Sequence, residues 1–407
     1  MTTQPSEPIA TADRSWHVRM SGRDPAEAHR TATPLELLFD LCFVIAVGQA
    51  AASLHHELAE GMVGHAVVSF LVVFFTIWWP WVNFTWFASA FDTDDVPYRL
   101  LTFVQIAGIL IVTGGVPLAF EDLDFRIAVL GYVVMRAALV GQWLRAARED
   151  PVHRRTALRF ALTIGLIQVG WVVRLAIPGP MSYVAFVALG ILELAVPIWA
   201  ERAGPPTPWN ARHVTERYGL FTIIVIGECL LAATTTIQAT FDAGGLTLAL
   251  AAVAGGGLLL VFALWWSYFK DSAALLPDVR LRTAIAWGYG HYVIFASVAA
   301  IGAGLQLATE STLGHGELDS VGVAATLGVP VVTYLIAAGI LHGRAEPARA
   351  VRLTVGLSIA IAVVTAGATV IGVPAAVLAM GAIVSTMVVV HVIGTSRGDP
   401  LRTAAIV

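Results

Sequence analysis

The chain is poor in charge and in the residues that carry chemistry in soluble proteins. Charged residues make up 13% of its 407 positions, where soluble domains average about 25%, so a water-soluble globule is excluded. Cysteine occurs twice, at Cys42 and Cys229, both inside apolar runs. This excludes a disulfide framework or a cysteine metal knuckle. Lysine occurs once, as Lys270 at the end of an apolar run. A retinal Schiff base needs a lysine in mid-membrane, so a retinal protein is discounted and no cofactor is expected. No Gly-x-Ser-x-Gly elbow, phosphate loop or dinucleotide fingerprint is present. The net charge of −4 comes with no basic domain that would suggest nucleic acid.

What is there is apolar. Hydrophobic residues are 57% of the chain, and the mean hydropathy is +0.77. They fall in runs of about 20, the length that crosses a hydrocarbon core. Twelve such spans can be read, at 34–56, 63–89, 98–119, 125–147, 157–178, 181–201, 217–239, 245–269, 283–308, 320–342, 351–371 and 374–395. The expected fold class is all-α: a polytopic integral membrane protein of about twelve transmembrane helices, with the lipid bilayer as its first partner. Residues 1–32 hold Arg14, Arg19, Arg23 and Arg30 without a long apolar run. They read as a largely disordered tail and not as a signal peptide.

Arginine sorts to one side of these spans. The opening tail, Arg145 to Arg159, Arg202 to Arg217, Arg280 and Arg282, Arg344 to Arg352, and the tail residues Arg397 and Arg402 fall together. The opposite links carry Arg126 among acids: Glu57, Glu60, Glu121, Asp122, Asp124, Glu310, Glu317 and Asp319. The positive-inside rule then puts both termini in the cytoplasm.

Four short matches recur in order. Phe39-Asp40-Leu41 aligns with Tyr218-Gly219-Leu220, Gly48-Gln49 with Gly227-Glu228, Ile77-Trp78-Trp79 with Leu264-Trp265-Trp266, and Asp95-Val96-Pro97-Tyr98-Arg99 with Pro277-Asp278-Val279-Arg280. Six spans per copy keep the same orientation, so the expectation is two parallel six-helix repeats. The domain reading is a cytoplasmic tail 1–32, a first repeat 33–201, a linker 202–216, a second repeat 217–395 and a cytoplasmic tail 396–407.

Glu36-Leu37-Leu38-Phe39-Asp40-Leu41-Cys42-Phe43-Val44 resembles the E-L-F-F-D-L-V-F-V opening of the bacterial low temperature requirement A family. Trp78-Trp79-Pro80-Trp81 with Thr85-Trp86-Phe87 resembles that family's Trp-rich second span, and Glu216-Arg217-Tyr218-Gly219-Leu220-Phe221 with Ile226-Gly227-Glu228 its mid-chain signature. Cys42, Gln49 and Tyr218 depart from the family's usual residues without removing a charged one. The resemblance covers about 32–395 and implies a polytopic bacterial inner-membrane protein tied to growth in the cold. It supplies identity more than mechanism.

Charges inside spans are the candidate site. Glu36 and Asp40, four residues apart, share one helix face. Thr33-Pro34-Leu35-Glu36 also fits a capping box, so Glu36 has a purely structural use, and Glu216 suits a helix start. Asp40 lies a turn deeper and calls for a water-filled vestibule or an arginine partner. Glu228 stands near the middle of its span, where it needs a salt bridge or a neutral form. Arg136 and Glu193 are also mid-span, so two acids and one arginine leave one carboxylate over. Arg174 is expected to snorkel outward. His291, where the family tends to place a histidine, either relays protons or bonds within the core. Asn83 and Gln105 glue helices or line a site, and Gln49 holds the position in the first repeat that Glu228 holds in the second. The tryptophans are packing and interface anchors or an aromatic box. His55-His56-Glu57 with Glu60 and His65 misses His-Glu-x-x-His, and is a solvated helix end or a weak metal site.

Three functions fit these features. A secondary transporter coupled to a proton or cation, with a small-molecule substrate, suits the repeat and the mid-span acid. A membrane-embedded enzyme on a lipid or isoprenoid would use Asp40, Arg136, Glu228 and His291 as acid, base or phosphate clamp; the missing catalytic motif argues against it. The third is a structural or assembly factor.

Overall fold

Thr33, Asn210 and Thr247 cap helix starts with their side chains, and glycine or polar residues interrupt several of the apolar runs. The computed structural model describes residues 16–27, 30–121, 123–242, 245, 247–270, 280–342 and 347–396. Its helices are α1 (Pro34–Ala59), α2 (Val63–Phe91), α3 (Val96–Gly114), α4 (Val116–Glu121), α5 (Arg126–Glu149), α6 (Arg154–Arg174), α7 (Pro180–Ala200), α8 (Ala211–Asp242), α9 (Leu248–Phe269), α10 (Leu281–Thr312), α11 (Ser320–His342), α12 (Pro347–Ala366), α13 (Ala368–Ile371) and α14 (Val373–Ser396). Among the described residues there is no strand. Among the described residues eleven helices are long and apolar enough to cross a membrane, and the apolar part of α12 is the shorter Val351–Ala366. The protein is therefore an all-α multi-pass membrane protein. The expected third and eleventh spans are each broken near the end, at Gly115 and Gly367, giving α3–α4 and α12–α13. Of the expected features, Arg14, Asp122, Pro277-Asp278-Val279, Arg344 and the tail from 397 onward lie outside the described residues.

Contacts gather the chain into two units that do not follow chain order. One holds the segment up to Pro25 with Phe87–Gly108 and Val133–Trp209; the other holds Ala26–Trp86, Ile109–Tyr132 and the chain from Asn210 onward. In the second unit α1 packs on α8 and α10, and α9 packs along α14. The α9–α14 contact is close because both helices present glycine. A Cβ on Gly256 would stand 2.7 Å from the Leu378 backbone, and one on Gly381 would collide with the Gly256 carbonyl. Small residues are how helices approach in lipid, where no hydrophobic force drives them together.

In the first unit, residues 16–24 of the opening segment are tied to the helices. Residues 16–24 run without helix, and alternate backbone N–H groups meet a row of acids. Val18 donates to Asp95 Oδ2 at 2.8 Å, Met20 to Glu149 Oε2 at 2.5 Å and Gly22 to Asp150 Oδ2 at 2.8 Å. Arg23 N–H donates to the Ala90 carbonyl at 3.0 Å. Composition suggested disorder because the segment is polar; its partners are acids more than 70 residues away in sequence, which composition does not reveal. Arg145 anchors the row, donating to Asp95 through Nη1 at 2.8 Å and Nη2 at 2.5 Å, and to the Val18 carbonyl at 2.6 Å.

Burial alone would raise the Asp95 carboxyl, but the hydrogen bonds from Arg145, Val18 N–H and Tyr98 N–H outweigh it and hold it at about 2, below its ordinary 3.8. The stability it contributes is therefore complete above the ordinary value and lost as pH falls toward 2. Asp95→Asn should lower the stability of detergent-solubilised protein by about 3 kcal/mol and remove part of its acid sensitivity, read as thermal midpoint against pH. An unchanged midpoint would show that the anchor carries little.

Candidate functional site

Two helix N-termini lie side by side in the second unit, and each carries its own cap. At α1, Thr33 Oγ1 accepts from Glu36 N at 3.3 Å while Glu36 Oε2 accepts from Thr33 N at 2.8 Å, a reciprocal capping box. At α8, Asn210 Oδ1 accepts from His213 N at 3.0 Å. The helix starts at Ala211, six residues before the span read from hydropathy. Counting from each cap, the third residue is Glu36 or His213 and the seventh is Asp40 or Arg217. One helix presents two acids at these levels and the other two bases.

The four side chains pair level with level. His213 Nε2 lies 3.2 Å from Glu36 Oε2. Arg217 donates to Asp40 through Nε at 3.0 Å and Nη2 at 2.5 Å, and its Nη1 reaches back to Glu36 Oε1 at 2.9 Å. Both matched pairs are separated by 177 residues. Trp81 Nε1 of α2 donates to the remaining face of Asp40 Oδ1 at 2.7 Å, and the Phe84 ring lies 6.0 Å from the guanidinium carbon. Glu36, Asp40, His213 and Arg217 are fully buried. With a neutral imidazole the quartet carries one negative charge, and a second proton on His213 brings it to zero. Nε2 faces a carboxylate, so it bears the proton; Nδ1 meets no hydrogen-bond partner among the described residues.

Glu216, next to Arg217, accepts from Ala32 N at 3.3 Å and ties the chain just before α1 to α8. Glu36 thus caps and pairs at once, and Asp40 has the arginine partner its depth called for. Hydropathy hid the roles of His213, which falls in the polar linker, and of Arg217, which falls at the first residue of a span, on the basic side and within the mid-chain signature. The signal that could have found them is the shared spacing from two N-caps, Thr33 and Asn210.

Glu228 is a different kind of acid. It sits on α8, eleven residues beyond Arg217, which is about 16 Å along the helix. Because α8 starts early, Glu228 lies past the middle of the Ala211–Thr235 span instead of at it. Its carboxylate occupies the notch left by a glycine: a Cβ on Gly48 of α1 would stand 2.8 Å from Oε1 and 3.0 Å from Oε2. On α10, a Cβ on Gly302 would stand 3.3 Å from the Glu228 carbonyl. Among the described residues no hydrogen bond or ion pair reaches this carboxylate. Gln49, beside Gly48, is partly buried.

The other candidates resolve into structural pairs. In the first unit Arg136 Nη2 donates to Glu193 Oε2 at 3.2 Å, both buried, and Trp171 Nε1 donates to Glu193 Oε1 at 3.3 Å. This is the pair that leaves Glu228 over. Arg174, expected to snorkel, is buried at the end of α6: Nε donates to the Ser182 carbonyl in the first turn of α7 at 3.1 Å, and the guanidinium lies over the Trp171 and Phe186 rings. Gln105 Nε2 donates to Gln142 Oε1 at 2.9 Å, which joins helices.

In the second unit Asn83 donates to Trp79 O at 2.7 Å on its own helix. His291 Nδ1 donates to Trp287 O at 2.8 Å, which leaves Nε2 to accept from the Tyr268 hydroxyl at 3.1 Å. It is a bonded core histidine, packed edge-on or tilted against Tyr218, Trp287 and Phe295. Trp78, Trp79, Tyr289 and Tyr292 fill one another's faces, whereas Trp265 and Trp266 are exposed anchors. His56, Glu57, Glu60, His65 and Glu121 line an open depression of about 740 Å³, with His65 Nδ1 2.9 Å from Glu57. Among the described residues no group of three or more His, Cys, Asp or Glu is arranged to hold a metal ion.

Removing one member of a buried ion pair strands the other. Arg217→Gln is therefore expected to lower stability by about 3–5 kcal/mol. Adding Asp40→Asn should recover part of that loss, with a coupling energy of about 1–3 kcal/mol in a double-mutant cycle. Additive effects in thermal melts would show that the contact is not energetic.

The comparisons agree with the geometry at the family level. The profile described as "Bacterial low temperature requirement A protein (LtrA)" matches residues 31–393. An uncharacterized protein of Rhizobium meliloti (strain 1021) is 26% identical over 296 residues, spanning 69% of this chain and 70% of that protein.

Proposed function

The chain belongs to the bacterial low temperature requirement A family, and from that premise we propose that it is a secondary transporter of the inner membrane, coupled to a proton or cation. The observation that carries this reading is the carboxylate of Glu228, set in the Gly48 notch without a partner. Every other acid singled out inside a span is held: Glu36 and Asp40 by Arg217, and Glu193 by Arg136. An acid inside a span that is not held by the fold is a functional site by default.

The pairing of α1 with α8 supports two parallel repeats. Glu36 meets His213, Asp40 meets Arg217 and Gly48 meets Glu228, in ascending order on both helices, so the two helices run the same way. Parallel repeats with a site at their interface are a common transporter design. The arginine distribution supports cytoplasmic termini. A lipid enzyme is less favoured: Asp40 pairs with Arg217, about 16 Å along α8 from Glu228, and His291 is bonded within the core. These groups do not form one catalytic cluster.

In liposomes carrying the purified protein, imposed H⁺, Na⁺ or K⁺ gradients should move charge or ions. Glu228→Gln should abolish that movement while expression and thermal midpoint stay within a few degrees of wild type. A folded mutant with wild-type flux would remove Glu228 from the mechanism.

A further inference from the structure

We propose that the ion taken up by Glu228 is a proton, and that Gly48 is the residue that sets how the protonated side chain is held. The inference rests on the transport reading and deepens it. A dehydrated metal cation needs several oxygen ligands at once; Ca²⁺ takes 6–8 and Mg²⁺ six. Monovalent ions in membrane sites likewise replace their water with rings of carbonyls. A proton needs one carboxylate oxygen.

The surroundings of Glu228 supply one carboxylate and little else. The two flanking helices bring glycines, Gly48 from α1 and Gly302 from α10. Both stretches are helical, so their carbonyls are committed to their own helices. On α8 the adjacent titratable group is Cys229, whose Sγ donates to Val298 O at 3.2 Å. Charged or titratable groups elsewhere on these elements stand off. On α1 they are Asp40, Cys42 and His55, on α8 Arg217 and Tyr218, and on α10 His291, Tyr292 and Glu310, each six or more residues from the contact. That is at least about 9 Å along the helix. Within Leu248–Phe269, α9 carries no Asp, Glu, Lys, Arg or His. Protonation also fits the medium, because a neutral carboxylic acid is tolerated in hydrocarbon and an ionised one is expelled.

The Gly48 notch gives the proposal its control. A Cβ there meets the carboxylate oxygens at 2.8 and 3.0 Å, at the flexible end of the side chain. Gly48→Ala should therefore fold and displace the carboxylate. Gly227, one residue before Glu228, faces open space, so Gly227→Ala changes the same helix without touching the group.

Infrared difference spectra of the purified full-length protein, recorded against pH, test this directly. The expected result is a carboxylic acid carbonyl band that grows as pH falls and is missing in Glu228→Gln. It should be unmoved when Na⁺ or K⁺ replaces choline, shifted in frequency or midpoint by Gly48→Ala, and unchanged by Gly227→Ala. A band displaced by Na⁺ or K⁺ would overturn the proton assignment while leaving cation-coupled transport standing. A spectrum without a titrating band assignable to Glu228 would overturn the inference outright. A proton-specific band in a protein that carries no H⁺, Na⁺ or K⁺ flux in liposomes would overturn the transport reading on which the inference rests.

Discussion

A charge taken out of water must be met by an opposite charge at close range, and that requirement organises the second unit. Glu36 and Asp40 on α1 face His213 and Arg217 on α8 at matching distances from two helix caps. The arrangement fixes register, rotation and direction of the two helices together. A shift of one residue along either helix would turn its pair of charges by about 100° and leave four polar groups buried without partners. Trp81 closes the remaining face of Asp40 from α2, so a third helix takes its position from the same charges. Whether such a buried network adds net stability over an apolar core is a separate matter from specificity; here it selects one packing.

Against this background Glu228 stands out by contrast. The fold spends arginine on the other acids and gives this one a glycine. Gly48 and Gly302 bring backbone close on two sides and offer no countercharge. The same helix, α8, thus holds a fully matched set of charges near its start and an unmatched carboxylate deeper in. Rigid anchoring and chemical availability are separated along one element by three turns.

Much of the fold was legible because the bilayer imposes length and polarity directly on sequence: spans of about 20 apolar residues, broken by caps, glycine and charged links. That Asp40 needs either water or an arginine, and that Arg136 cannot serve both Glu193 and Glu228, were legible for the same reason. The identity of Asp40's partner was not, because Arg217 stands at the edge of an apolar span, beside the polar linker, and is 177 residues away. The Ser182 contact of Arg174 and the anchoring of residues 16–24 were hidden for a related cause. A carbonyl such as Ser182's, or a row of acids receiving backbone N–H groups, leaves no mark in composition.

The distance in sequence between the paired charges has a consequence for biosynthesis. Glu36 and Asp40 leave the ribosome 177 residues before His213 and Arg217, an interval of about 9–35 s at ordinary elongation rates of ~5–20 residues per second. For that time α1 is a membrane segment with two acids and no counterions. It must wait at the water boundary, or against the insertion machinery, while the six helices α2–α7 are made. The first helix of the chain therefore cannot settle until α8 arrives, and its assembly is gated by a segment made long after it.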